Sequence, residues 1–285
     1  MGSREFHADR RRFLTWASTA GAFLAAHSRS MSAEPKLDFP LGKSEGDRPR
    51  IRSLELQSSA ALPKMKEFYH QSLGLRVVED EPERLTIDAG ETRIIILKTP
   101  ADNEQPFYHF AFNIPENKLL AAHQWQKKRT PLLPIPKTLR DPAYPDDVVH
   151  YRDWNAHSIF FFDPAGNVVE YIARHDLNNA GQGDFGSEDI LYASEIAFVV
   201  DDVAATVMQL RHVAGVEQYK GASDQFAAVG DETGLLLVMK RGRVISFEAP
   251  EKKAVTVFPT KTTIRGGRGT KYVFPNFPYE LSIEG

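Results

Sequence analysis

Between Asn155 and His175 the chain reads NAHSIFFFDPAGNVVEYIARH, and no other stretch restricts the fold as tightly. Ser158 to Phe162 is apolar and aromatic, and Val168 to Ala173 is apolar again. Between them lies Asp163-Pro164-Ala165-Gly166-Asn167, in which Pro sets φ and Gly or Asn tolerates positive φ. Two strands joined by a turn satisfy that pattern. Side chains alternate along a strand, so Glu170 shares a face with Val168 and Ile172. A carboxylate on a core face is costly unless a metal, a cation or hydrogen bonds satisfy it.

The segment DPAGNVVE resembles the DP-x-G-N-x-x-E signature of the vicinal oxygen chelate superfamily. That family includes glyoxalase I, the fosfomycin and bleomycin resistance proteins and extradiol dioxygenases. The resemblance implies an α+β fold of repeated βαβββ modules, whose curved mixed sheets form a cup around a divalent metal. It also implies that Glu170 is a metal ligand.

The rest of the chain divides on the same plan. Module A runs from Ile51 to Thr99, with helical spacing from Leu62 to Leu73 and Gly74 as its C-cap. FYHQSLGL resembles the family's FY-x-x-x-LG helix end. Module B runs from Phe107 to Ala173, with a helix at Asn117–Lys128. Five prolines between Thr130 and Asp147 make that stretch a long loop, read as a lid over or beside the cup. Module C, Ala193 to Lys240, repeats A: FAAVGDETGLLLVMK echoes LTIDAGETRIIILK, and EIAFVV echoes HFAFNI in B. The expected division is 1–33 signal, 34–50 linker, 51–177 paired modules A and B, 178–189 linker, and 190–285 a third module plus degenerate strands. The third module and tail would form a partial second unit, with a homodimer as one way to complete it.

Metal-binding members of the family draw ligands from the first and last strands of each module. Module B offers His109 and Glu170, donors that suit Fe, Mn, Ni or Zn. Module A fills neither place: the first-strand place falls at Ser53, with Glu55 the fallback within one or two residues of register, and the last-strand place falls on Ile96. A third ligand would come from His150, His157 or His175, with His157 the candidate among them, or from water and substrate. Module C offers Glu195, expected to stand apart in a separate cup. Glu170 is the candidate catalytic acid–base, and Phe160, Tyr151 and His150 the candidate substrate pocket. The competing reading gives Glu170 an arginine partner, Arg152 or Arg174, and makes His109 a hydrogen-bonded core histidine. His70, His123 and His212 are read as surface residues on helices.

Two metal chemistries fit the resemblance: a glyoxalase-like isomerase or lyase, and a ring-cleaving dioxygenase. Ring-cleaving relatives place a Tyr ten residues before the Glu, where this chain has Phe160, and a His nineteen before it, where it has Tyr151. Glyoxalase I would want a Glu at Ile96. A metal-free small-ligand binding protein of the bleomycin-resistance type is the alternative. The absence of cysteine excludes disulfides, thiolate zinc sites and cysteine nucleophiles. A net charge of −3 argues against a nucleic-acid partner. Arg10-Arg11-Arg12-Phe13-Leu14 before an apolar, Ala-rich run resembles a twin-arginine signal, so an exported, periplasmic protein is expected. That run ends near Ala26, too short for the ~20 residues of a membrane span.

Overall fold

The computed structural model describes residues 48–100, 105–247, 252–266 and 269–285. The expected signal and most of the first linker lie outside the described residues. Among the described residues are seventeen strands and three α-helices, most of them following the modular plan. Module A comprises β1 (Arg50–Ser58), α1 (Leu62–Lys66, continued by a π-helical turn, Glu67–Ser72), β2 (Arg76–Glu81), β3 (Arg84–Ala89) and β4 (Thr92–Lys98). Gly74 ends the helix at φ +73° as the sequence predicts, its N–H donating to the His70 carbonyl. Module B comprises β5 (His109–Ile114), α2 (Leu119–Lys127), β6 (Val149–Tyr151), β7 (Ala156–Phe162) and β8 (Val168–Arg174). Module C comprises β9 (Tyr192–Val200), α3 (Val203–Ala214), β10 (Gln218–Tyr219), β11 (Phe226–Asp231) and β12 (Gly234–Lys240). A small hairpin follows, β13 (Val244–Ser246) and β14 (Lys252–Ala254), and then β15 (Thr260–Arg265), β16 (Thr270–Val273) and β17 (Tyr279–Glu284).

The modules do not pair in the order the sequence suggests. The eight-stranded sheet runs β10-β11-β12-β9-β5-β8-β7-β6, which joins B to C through antiparallel β5 and β9. The seven-stranded sheet runs β16-β17-β15-β1-β4-β3-β2, which joins A to the C-terminal strands through antiparallel β1 and β15. The expected A–B cup is therefore replaced by a B–C cup, and the partial unit is completed within the chain. The tail is a reduced fourth module: β15 and β17 lie parallel, with β16 antiparallel beside β17, as first, fourth and third strands do in the others.

Strand alternation gives each sheet two faces. One face of each joins a continuous apolar core with the helices: Leu54, Ile94 and Leu281 from one sheet, Phe112, Tyr171 and Phe198 from the other, with Met65 and Leu210 from helices. The opposite face of each sheet is its concave side. Part of the Pro-rich segment is stitched to the sheet rather than standing over it. Leu132 bridges Phe161, the Leu133 N–H donates to the Phe160 carbonyl at 2.8 Å, and Arg140 bridges Val149. Leu133 and Ile135 then pack with Phe160 and Val168 inside the cup. Among the described residues no helix is long and apolar enough to cross a membrane.

Candidate metal centre

The turn of the signature hairpin sets the register on which the site depends. Asp163 is buried, and its carboxylate accepts from the backbone N–H of Ala165 and Asn167, the Asn167 amide and the Tyr69 hydroxyl at 2.8–3.0 Å. Four donors satisfy a charge that burial would otherwise make costly. The same bonds fix Asn167, whose side-chain oxygen accepts from the Tyr108 N–H at 2.9 Å, and Val168 N–H donates to the Tyr108 carbonyl. The start of β5 is thereby locked against the start of β8. Parallel pairing then sets His109 opposite Val168 and Ala111 opposite Glu170.

On its other side Ala111 pairs with Glu195 of β9. One small side chain thus has a carboxylate on each neighbouring strand, and His109 lies two residues away on the same face. The ligating atoms of His109, Glu170 and Glu195 all lie within 4.8 Å of one another. All three side chains are buried. His109 Nδ1 is 3.1 Å from the Val168 carbonyl, an oxygen that only accepts, so Nδ1 carries the proton. In the neutral ring the Nε2 lone pair then faces Glu170, whose Oε2 is 3.5 Å off. Holding one ring nitrogen on a carbonyl so that the other presents a lone pair is how metal-ligating histidines are oriented. Burial favours that neutral form, lowering the His109 pKa from the ordinary 6.5 to about 4.

The two carboxylates differ. Burial raises the Glu195 pKa, but Arg174 on β8 opposes this: its Nη2 donates to Glu195 Oε1, and its Nε to Asn113. Burial raises the Glu170 pKa well above the ordinary carboxylate range, and the nearby Glu195 charge adds to it. The Ser158 hydroxyl partly offsets this, yet Glu170 Oε1 makes no well-formed hydrogen bond among the described residues. The cluster holds two carboxylates and one arginine, so one negative charge is uncompensated in a dry site unless Glu170 keeps a proton or a cation binds. On that ground the residues fit a divalent metal. Glu195, expected in a separate cup, thus belongs with His109. Its arginine partner is Arg174, which the competing sequence reading had offered to Glu170.

Tyr151 faces the same side. Its phenol is held well above its usual range by burial and by the charges of Glu170 and Glu195, so it stays a hydrogen-bond donor. Phe160 pairs across from Glu170, with its ring 6.1 Å from that of His109. In module C the register Glu195–Leu235, Ala197–Leu237 puts Leu237 where Glu170 stands in B. The concave side is otherwise apolar, with Phe107, Trp154, Tyr219, Phe226 and Phe247 packed against it. Phe247, just after β13, lies 5.7 Å from Phe160, so the β13–β14 hairpin shares the cover with Leu133 and Ile135.

Other expected site residues lie elsewhere. His150 and His157 pair directly across β6 and β7, and His157 pairs with Ala173, on the face opposite Glu170. Neither reaches the cup: a one-residue step along a strand reverses the side chain. His175 lies beside His157, its Nε2 at 2.8 Å from the His157 Nδ1. Ser53, Glu55 and Ile96 belong to the other sheet, where Glu55 pairs with Lys261 at 2.7 Å and Ile96 joins the core. His123 is buried, with Nε2 at 2.6 Å from Asp147, although helix position alone read it as a surface residue. His70 and His212 are exposed.

Residues 57–171 match the model of the "Glyoxalase/Bleomycin resistance protein/Dioxygenase superfamily". A search of curated proteins finds no match to the chain. Among solved structures, a "putative dioxygenase" from Bacillus subtilis superposes with TM-score 0.52 at 15% identity, covering 82% of this chain and 85% of that one. Glyoxalase I from Zea mays gives 0.46 at 12% identity, over 82% and 92% of the two chains, too loose a likeness to bear on the site. At such identities the first likeness speaks for the fold alone. The βαβββ architecture matches the fold of this superfamily, and the sequence match to its model spans residues 57–171.

Proposed function

We propose that the B–C cup is the centre of a metal-dependent enzyme that moves a proton on a small, oxygen-bearing carbonyl substrate, in the manner of a glyoxalase-like isomerase or lyase. The observation that carries this reading is the donor set: one neutral imidazole, His109, and two carboxylates, Glu170 and Glu195, converging in one buried cluster. Such a set suits Mn, Ni or Zn, whereas ring-cleaving iron sites use two histidines and one carboxylate. Phe160 also lacks the hydroxyl that ring cleavage would draw on. Bound there, the ion would supply Lewis-acid polarisation of substrate oxygens.

The chain's own groups do the rest. His109 stays neutral and oriented through the Val168 carbonyl. Arg174 holds Glu195 in place. Glu170, the carboxylate on β8 beside His109, takes a proton from a substrate carbon and returns it to the neighbouring one. Tyr151 donates to a substrate oxygen, and the aromatic cover keeps water out.

Metal analysis of the purified full chain, before and after His109→Ala, tests this. The cup is expected to hold one divalent transition ion per chain, so the metal content should fall by one ion per chain in the variant. A wild-type chain that, stripped with chelator, takes up no Mn2+, Ni2+ or Zn2+ at the cup would refute it. A metal-free binding protein is the second reading, favoured by Leu237 in the fourth ligand place and by the Arg174–Glu195 pair.

We also propose export by the twin-arginine route, from the Arg10-Arg11-Arg12-Phe13-Leu14 motif. Changing both Arg10 and Arg11 to Lys should leave the protein in the cytoplasm. Unchanged export of that variant would remove this proposal.

A further inference from the structure

The sheet face opposite the cup carries a second group of ligating side chains. Asp141 comes from the Pro-rich segment, His150 from β6 and His157 from β7, and their ligating atoms lie within 4.8 Å of one another. Asp141 Oδ2 is 3.3 Å from His150 Nδ1 and 3.2 Å from His157 Nε2. Ligands about 2.0–2.1 Å from a tetrahedral ion stand roughly 3.3 Å apart, so both spacings already match edges of such a polyhedron. Although that close, His150 Nδ1 makes no hydrogen bond and is buried at that atom. The two imidazoles are stacked, centroids 4.2 Å apart at 10°, so the partly exposed ring of His150 must turn out of the stack to bring its Nδ1 lone pair onto an ion held in the His157 plane. Tyr144 stacks on the other side of His157 at 4.1 Å and limits its ring to that plane.

The surroundings also suit a ligated histidine. His157 Nδ1 is 2.8 Å from His175 Nε2, and His175 Nδ1 is 3.4 Å from Glu116. In the tautomer where His157 Nδ1 donates to His175 and His175 Nδ1 donates to Glu116, His157 Nε2 is a lone-pair nitrogen free to ligate; in the other tautomer Nε2 donates to Asp141 at 3.2 Å. Asp141 is itself held by the Ala143 N–H on its other oxygen. His150 and Asp141 are each 21% exposed on their side chains, which leaves room for water as a fourth ligand.

We propose that Asp141, His150 and His157 form a zinc-type divalent metal site on the convex face, separate from the cup and independent of its function. Two imidazoles, one carboxylate and a water are a donor set for Zn2+. Its three protein ligands come from a loop and two strands, so the ion would tie the Pro-rich segment to the sheet edge. Because that segment also inserts Leu133 and Ile135 among the cup residues, the site fastens part of the cup's cover from outside.

The test uses the full chain stripped with chelator and titrated calorimetrically with Zn2+, in the Glu170→Gln background so that the cup does not report. One ion per chain is expected, abolished by Asp141→Asn and by His150→Gln. Both residues are partly exposed, and metal-free thermal unfolding of each variant checks that the fold is kept. Co2+ in place of Zn2+ should give tetrahedral visible absorption that disappears in the same variants. Zn2+ should also slow proteolysis within residues 130–147. Absence of a binding event in the Glu170→Gln chain, or full retention of it in either variant, would overturn the proposal.

Discussion

The two sheets share one topology and differ in what their concave faces carry. In the A–tail sheet, Glu55 pairs with Lys261, Asp88 with Arg93 and Glu79 with Arg84, and these pairs are half exposed. In the B–C sheet, the equivalent side is apolar and encloses His109, Glu170 and Glu195. Both are built from first strands paired antiparallel, each flanked by a parallel fourth strand. The scaffold is therefore neutral about chemistry, and a few residue choices on two strands decide whether a concave face is a wet surface or a site.

The contrast is sharpest in how each sheet answers loss of a carboxylate. Glu195→Gln leaves Arg174 buried without its partner, and should cost on the order of 3–5 kcal/mol in urea unfolding. A loss under about 1 kcal/mol, the range of exposed pairs, would mean that the B–C site is as wet as its counterpart.

His109 supplies a pH signature that the A–tail sheet lacks. Its folded pKa lies near 4, below the unfolded value near 6.5. Between those values the unfolded chain binds the extra proton, so stability falls as pH drops from 6.5 toward 4, by about 3 kcal/mol for this group. Glu170, with its pKa raised, acts in the opposite sense: its stabilisation fades as pH rises above the ordinary carboxylate range. The difference between wild type and His109→Gln in chelator isolates the histidine. Parallel pH–stability curves for the two proteins would contradict its burial as a neutral base.

Glu170→Gln should weaken divalent metal binding at the cup by on the order of 100-fold, read calorimetrically, with little change in melting temperature. Undiminished affinity would shift the site away from β8. Leu237→His places a donor at the position that mirrors Glu170 and should tighten binding by about 10-fold; no gain would show that the fourth place does not face the ion. At the small end, Glu55→Gln in the other sheet should cost only about 0.5 kcal/mol. A cost several times larger would erase the distinction between the two concave faces.

Much of this was legible before any coordinates. The DPAGN turn, the repeat of module A in module C and the first- and last-strand places of His109 and Glu170 are local patterns, set by turn chemistry and alternation. Which modules pair was not legible, because βαβββ repeats carry no mark of which first strand joins which. For that reason the sequence marks Glu195 as the counterpart of His109 without showing that the two share a cup. His150 and His157 are a different case: strict alternation from Glu170 through β7 already puts His157 on the far face. Asp141 gave no signal, since a loop brings its side chain into place only through tertiary contacts.

The pairing order nests the chain like brackets, with B and C inside and A and the tail outside. During synthesis the inner sheet has all its strands by Lys240, whereas β1 waits for β15 at Thr260–Arg265 to cover its open edge. Until then module A offers bare backbone donors and acceptors to any passing strand. The last twenty-six residues, Thr260 to Gly285, are thus what closes the molecule, and ribosome-bound chains lacking them should be the species most prone to aggregate.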